Sequence, residues 1–126
     1  MDTSPPPAGG NPAKPASGIV TGTQRHGDAV VVDCTGDIDA LTAPQLIAAV
    51  AAAMEKRPRT VVVDLSRVAF LASAGLAALV ELHRMAGEAI RFRIVAAGSA
   101  TLRPLTMTGL TDELAVFPTS AQALAT

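Results

Sequence analysis

Residues 61–76 read VVVDLSRVAFLASAGL, and the pattern of apolar residues changes within this stretch. The run over residues 60–65 is almost continuously apolar, which is typical of a central strand covered on both faces. Beyond that run, apolar residues that include Leu76 and Leu79 recur at helical spacing, and Gly87 is in position to end the helix. The stretch therefore predicts a buried strand that leads directly into a helix.

The segment before this stretch predicts a hairpin followed by a crossover helix. Residues 18–23 and 29–35 are rich in β-branched residues, and the turn-like sequence RHGD at residues 25–28 joins them, so we expect antiparallel neighbours. Thr42 followed three residues later by Gln45 is a capping-box pattern, which predicts the start of a helix that ends at the sequence KRP. A helix between two strands favours a right-handed crossover and a parallel strand pair.

The segment after the stretch predicts two more strands and two more helices. Residues 90–95 alternate between apolar and polar, with arginines on the face away from the core. Ser99 is in position to cap a third helix, and Gly109 to follow its end. Residues 114–117 predict a short strand and residues 120–124 a short helix. The predicted order is β-β-α-β-α-β-α-β-α, a mixed sheet of the α/β class.

The composition describes one globular domain and excludes several classes of partner. The chain has 126 residues, 49% of them apolar and 17% charged, with a net charge of -1 and neither Trp nor Tyr. Such a chain has no electrostatic reason to bind nucleic acid or an anionic membrane, and it lacks aromatic platforms for single-stranded bases. No apolar run reaches the ~18–20 residues of a membrane span. We therefore expect no nucleic-acid partner and no membrane attachment.

The N-terminus, the cysteine and the histidines carry further predictions. Residues 1–17 contain five prolines and no hydrophobic segment, so we predict a disordered tail rather than a secretory signal, followed by one domain over residues 18–126. The single cysteine, Cys34, is expected in the core, which fits a reducing cytoplasm. His26 is expected in solvent and His83 beside the core. Because neither histidine has a second ligand at a recognisable spacing, no metal site is predicted.

Candidate chemistry is limited to a few carboxylates and serines. Asp37 and Asp39 precede a helix, where they either form a paired-carboxylate site or, as we favour, satisfy turn amides near the positive end of the helix. Asp64 ends the predicted central strand, at an edge where α/β sheets bind ligands, although Asp64 and Ser66 can equally cap the turn that follows. No residue combines a nucleophile's position with a recognisable base, so we predict no enzyme activity and no cofactor.

Ser73 stands at the junction between strand and helix. We predict it as the N-cap of a helix starting at Ala74, with its hydroxyl accepting a hydrogen bond from a backbone N–H. Gly75 is a poor helix former, and its missing side chain is expected to leave the amides of the first turn open. Open amides at a helix N-terminus tolerate a phosphate. A phosphate on Ser73 would therefore leave the fold intact while adding about −1.5 to −2 charges to the surrounding surface.

Three segments match the sequence patterns of one known family. The sequence GDIDALTAP at residues 36–44 looks like the family segment that leads into the first helix, and residues 61–76 look like its central signature. Residues 108–114 together with residues 121–124 look like its closing pattern. The chain thus resembles the STAS domain, in particular the bacterial anti-sigma-factor antagonists. The resemblance implies a STAS-type mixed sheet with helices packed mainly on one face.

The resemblance also implies a mechanism. In this family the unphosphorylated antagonist binds an anti-sigma factor, a GHKL-type serine kinase, and so frees the sigma factor. The kinase uses ATP to phosphorylate a serine or threonine at the start of the second helix, which abolishes binding, and a PP2C-type phosphatase reverses the modification. By its position in the signature that residue is Ser73. On a chain that is a monomer when free, the implied partner surface comprises Asp37, Asp39, Ala72, Ser73, Ala74, Gly75 and Leu76.

Two positions depart from the signature and keep other hypotheses open. Ala72 stands where the family usually has an acid, and Ala74 where it has a second hydroxyl residue. The missing acid favours, as a second hypothesis, a constitutive antagonist or one tuned by oxidation of Cys34. A third hypothesis is a nucleotide- or small-ligand-binding STAS module that uses Asp64 and Ser66 with the two carboxylates before the first helix.

Overall fold

The computed structural model describes residues 18–125 as one five-stranded sheet with four helices. The strands are β1 (Val20–His26), β2 (Ala29–Ile38), β3 (Thr60–Leu71), β4 (Arg91–Val95) and β5 (Ala115–Phe117). The helices are α1 (Ala43–Glu55), α2 (Ser73–Ala86), α3 (Leu102–Met107) and α4 (Ser120–Leu124), with a short 3-10 helix at Leu110–Asp112. The predicted tail at residues 1–17 lies outside the described residues. Between residues 18 and 125, no helix has both the length and the apolar content of a membrane span.

The strands follow one another across the sheet in chain order, so the predicted sequence of elements is confirmed. β1 pairs antiparallel with β2, and every other neighbouring pair is parallel. The hairpin turn in the structure is shorter than the four-residue sequence RHGD that predicted it, because β1 continues to His26 and β2 begins at Ala29. Gly27 has φ 62°, in the left-handed region that such tight hairpin turns require. The crossover from β2 through α1 to β3 gives the parallel pair expected from the sequence.

The helices cover the two faces of the sheet unequally. The larger apolar core lies between one face and the helices α1, α2 and α3, and includes Leu46, Val50, Leu79, Leu82 and Leu105. On the other face, Ala123 of α4 packs against Val31, Val62 and Val95. The prediction of helices mainly on one face is confirmed. β3 is covered on both faces, which explains its continuous valine run.

The starts of α1 and α3 differ from the predictions. Thr42 is the N-cap of α1, but its side chain makes no capping hydrogen bond to the helix amides. The side-chain oxygen of Gln45 instead accepts from the backbone N–H of Ile19 at 3.2 Å, so the predicted capping box is wrong. The residue that precedes α3 is Thr101 rather than Ser99, which lies two residues earlier in the chain. Gly109, with φ 78°, follows α3 as predicted.

The end of α1 contains a strained residue. Arg57 follows the C-cap residue Lys56, has φ 54°, and donates its backbone N–H to the carbonyl oxygen of Met54 at 2.9 Å. A residue with a Cβ pays about 1 kcal/mol in this left-handed conformation, whereas glycine does not. We expect Arg57→Gly to raise the free energy of unfolding by about 0.5–1 kcal/mol, measured by urea titration. Arg57→Ala, which keeps the Cβ, should give no gain; an equal gain would assign the effect to the lost charge.

Candidate functional site

The carboxyl ends of β2 and β3 bring the loop after β2 next to the start of α2. In this parallel pair Asp37 is opposite Phe70. The backbone N–H of Ala72 donates to the carbonyl oxygen of Ile38 at 2.8 Å, so the hydrogen bonding between the strands continues up to the residue before the helix. Ser73 therefore lies at the same edge of the sheet as the loop that follows β2.

Ser73 is the first residue of α2 rather than its N-cap. The N-cap is Ala72, whose carbonyl oxygen accepts from the N–H of Gly75 at 2.9 Å and of Leu76 at 3.1 Å. No side chain makes a capping bond at this end of α2, and the Ser73 side chain is exposed. The predicted N-cap role is wrong, because the hydrogen bond from Ala72 to β2 fixes the strand-to-helix turn one residue earlier. The hydroxyl is consequently accessible from solvent.

Gly75 allows the first turn of α2 to approach the sheet closely. A Cβ at this position would lie 2.6 Å from Cδ1 of Leu71 and 2.7 Å from Cγ2 of Ile38, and both neighbours are buried. Gly75 itself is buried and its N–H donates to the carbonyl oxygen of Ala72, so the amide of this residue is not open to solvent. Ala74 and Leu76 on either side are half-buried and pack against the same core. Among residues 72–76 at this turn, Ser73 is the one that is exposed.

The loop that follows β2 at this edge is held by its own hydrogen bonds. The Oδ1 atom of Asp39 accepts from the backbone N–H groups of Leu41 at 2.9 Å and Thr42 at 3.1 Å. The hydroxyl of Thr42 donates to the carbonyl oxygen of Asp37 at 2.7 Å and accepts from the N–H of Asp39 at 2.9 Å. The favoured interpretation, that a carboxylate here satisfies turn amides, is confirmed for Asp39. The side chain of Asp37 is exposed, whereas the Asp39 carboxylate is engaged by the loop amides.

Asp64 and Ser66 lie apart from this edge. β3 continues to Leu71, so Asp64 is in the middle of the strand and stands opposite Asp33, whereas Asp37 is four residues further along β2. The Oδ1 atom of Asp64 accepts from the N–H of Ser66 at 2.9 Å. Both residues line a cavity of about 420 Å³ beside α4. The prediction that Asp64 ends its strand is therefore wrong, as is its grouping with the loop carboxylates. Among residues 18–125, no three His, Cys, Asp or Glu side chains form a group suited to a metal ion.

Two large apolar side chains at this edge are exposed to solvent. Leu41 is 78% exposed in the loop after β2, and Phe70 is 54% exposed near the end of β3. Leu41 lies in the part of the loop between Asp39 and Thr42, whose side chains hold the loop through hydrogen bonds. Phe70 is not among the site residues predicted from the sequence, because a bulge between Val68 and Phe70 is not visible in the sequence.

Cys34 is in the core, as predicted, with no exposed surface. Burial, and to a lesser extent the neighbouring Asp33 carboxylate, raises the pKa of the Cys34 thiol from 9.0 to about 11. Reactive cysteines need an accessible thiolate, whereas this thiol is buried and protonated near neutral pH. The structure therefore gives no support to redox tuning through Cys34. His26 is exposed as predicted, and the ring centroid of His83 lies 6.2 Å from that of the buried Phe92.

The raised pKa of Cys34 predicts a stability change at alkaline pH. In the unfolded chain the thiol ionises near pH 9.0, whereas the folded protein retains the proton until about pH 11. The contribution of the buried neutral thiol is complete below about pH 9 and is lost as the pH rises toward 11. We expect the urea midpoint to fall between pH 9 and 11, and Cys34→Ala to remove most of that slope, since the chain has no tyrosine. An unchanged slope in Cys34→Ala would contradict this assignment.

The comparisons with known proteins agree with this architecture. The family model described as "STAS domain" matches residues 21–123. The chain belongs to the STAS domain family. The curated relatives include the anti-sigma-F factor antagonist RsfB of Mycobacterium tuberculosis, which is 36% identical over 99 residues, covering 79% of this chain and 81% of RsfB.

Solved STAS structures extend the comparison. The crystal structure of an anti-sigma factor antagonist from Mycobacterium paratuberculosis superposes with a TM-score of 0.84 at 38% identity, covering 89% of this chain and 96% of that one. The unphosphorylated form of SpoIIAA, an anti-sigma factor antagonist of Bacillus, gives a TM-score of 0.62 at 18% identity over 84% of this chain and 96% of SpoIIAA. The second similarity concerns the fold alone.

Proposed function

We propose that this STAS domain is an anti-sigma-factor antagonist, a binding protein rather than an enzyme. RsfB and the Mycobacterium paratuberculosis protein, its relatives at 36% and 38% identity, are named as such antagonists. The unphosphorylated chain binds an anti-sigma factor and so releases the sigma factor that this factor holds. As a regulator of transcription, it would act in the cytoplasm.

Binding is switched off by phosphorylation of Ser73. The observation that carries this part of the proposal is the exposed Ser73 side chain at the first position of α2, with no capping bond made by its hydroxyl. The partial positive charge at the start of this 14-residue helix favours a phosphate there. The antagonist thus retains its fold after modification. The added charge acts instead on the partner surface.

The partner that fits this switch is an anti-sigma factor of the GHKL-type serine kinase class. It transfers the γ-phosphoryl group of ATP to the Ser73 hydroxyl oxygen, releasing ADP and the hydroxyl proton. A PP2C-type phosphatase returns the serine by hydrolysis of the phosphate ester. Ser73 is then the phosphoryl acceptor in the first reaction and the leaving group in the second, where water is the acceptor, and the partners supply the catalysis.

The phosphoryl transfer is tested by intact-mass spectrometry after incubation with the cognate anti-sigma kinase and ATP. The expected product carries one phosphate, and peptide mapping places it on Ser73. The Ser73→Ala chain serves as the matched control and should remain unmodified. A wild-type chain that binds the kinase but gains no phosphate would exclude the switch and leave the binding function.

A constitutive antagonist is the second candidate, because Ala72 supplies no carboxylate directly before the acceptor. In that case the kinase would bind the chain without modifying it, and a charge at position 73 would change the affinity little. The affinity of Ser73→Glu separates the two candidates.

A further inference from the structure

Two exposed apolar side chains lie at the same edge as Ser73. Phe70 precedes Ser73 by three residues and stands opposite Asp37, and Leu41 projects from the loop that follows β2. They are 54% and 78% exposed. Aromatic residues, Phe among them, are enriched in the cores of protein–protein interfaces, and the few residues that dominate binding cluster near the interface centre. This edge therefore combines a neutral hydroxyl with apolar groups on two adjoining segments.

Hydrogen bonds on both sides of Leu41 hold the loop backbone in the conformation that exposes this side chain. The Asp39 Oδ1 atom accepts from the N–H of Leu41 itself and from that of the next residue, Thr42. Thr42 is 4% exposed, and its hydroxyl is bonded to the backbone of Asp37. A loop held in this way presents Leu41 without further ordering, which lowers the entropic cost of binding.

We infer that Leu41 and Phe70 are the apolar anchors of the anti-sigma factor on this chain, and that Asp39 is a positioning residue for Leu41. The inference rests on the proposed function and names which residues supply the affinity. The anti-sigma factor is the occupant because the anchors are continuous with the Ser73 surface that it must contact. When the partner covers Leu41 and Phe70, a phosphate on Ser73 at the same edge would be desolvated, which raises the free-energy cost of binding the phosphorylated chain.

In this proposal Asp39 acts by holding the loop, and the partner does not recognise its negative charge directly. Its Oδ1 atom acts as an acceptor for loop amides, and an asparagine side chain keeps an acceptor oxygen at that position. Asp39→Asn should therefore retain binding, whereas Asp39→Ala releases the loop and weakens it. If the partner recognises the negative charge, both variants lose affinity equally.

The test is isothermal titration of the cognate anti-sigma factor with the full chain and its variants. Leu41→Ser and Phe70→Ala should each weaken binding by about tenfold or more. Met85→Ala is the matched control: Met85 is 47% exposed on the same helix as Ser73 but twelve residues further along, and this variant should bind within about twofold of wild type. Asp39→Asn should remain within about threefold, and Asp39→Ala should fall about tenfold.

Each outcome distinguishes the inference from the function on which it rests. Wild-type affinity in both Leu41→Ser and Phe70→Ala, with loss of binding in Ser73→Glu, overturns the anchors while the antagonist function stands. A wild-type chain that does not bind the anti-sigma factor overturns both. Equal losses in Asp39→Asn and Asp39→Ala overturn the positioning role. Because Leu41 and Phe70 are exposed, thermal unfolding of their variants should match wild type, which excludes misfolding as the cause.

Discussion

Ser73→Glu is expected to weaken binding of the anti-sigma factor by about 100-fold or more. A charge left unpaired in an interface costs about 2–5 kcal/mol, and each 1.4 kcal/mol is tenfold in affinity. The side chain at position 73 is exposed and lies at the edge that also presents Leu41 and Phe70, so its charge would enter an apolar contact. The expected effect is therefore local, and titration of the partner measures it directly.

Two controls separate this effect from damage to the fold. Glu at the first position of α2 lies near the positive end of the helix dipole, so the thermal midpoint of Ser73→Glu should equal or slightly exceed that of wild type. Ser73→Ala removes one hydroxyl and should bind within about tenfold of wild type. Wild-type affinity in Ser73→Glu would contradict the switch. A lowered midpoint would show that position 73 serves folding instead.

Gly75→Ala is expected to lower the free energy of unfolding by about 1–2 kcal/mol. The new Cβ would approach Leu71 and Ile38 to 2.6 and 2.7 Å, and overpacking of this kind typically costs about 1–3 kcal/mol. Alanine is a better helix former than glycine by about 1 kcal/mol. The clash outweighs this gain because Ile38 and Leu71 are both buried, and the Cβ of Ile38, close to the backbone, also lies only 3.3 Å from the new atom.

Thermal unfolding measures this loss, with about 4–8 °C expected for each kcal/mol in a domain of this size. Gly98→Ala is the matched control, since a Cβ at Gly98 would meet nothing within 4 Å and the residue does not have a positive φ. It should stay within about 0.5 kcal/mol of wild type. A Gly75→Ala chain as stable as Gly98→Ala would contradict the close approach of α2 to the sheet.

The order of the elements followed from local patterns, but their ends did not. The valine runs and the helical spacing after residue 73 are properties of neighbouring residues, so the sequence carries them directly. β3 was predicted to end at residue 65, yet it runs on to Leu71 because its backbone pairs with Asp37 and Ile38 of β2. Such pairing joins residues more than thirty positions apart and leaves little trace in the local pattern.

Contacts between residues distant in the sequence also explain the errors at the candidate site. The hydrogen bond from Ala72 to Ile38 moves the start of α2 to Ser73, and contact with Ile38 makes Gly75 a packing residue. The edge itself, with Ser73 beside the loop of Asp39, was anticipated through the family signature. The exposure of Leu41 was not, because it depends on hydrogen bonds around the loop that the sequence alone does not specify.

The central claim is that the unphosphorylated chain releases a sigma factor and that one phosphate on Ser73 prevents the release. The most direct measurement adds the chain to a preformed complex of the cognate sigma and anti-sigma factors and determines the free sigma factor by size-exclusion chromatography. We expect the unmodified chain to release the sigma factor and the Ser73-phosphorylated chain to leave the complex intact. Equal release by both forms, or release by neither, would contradict the account.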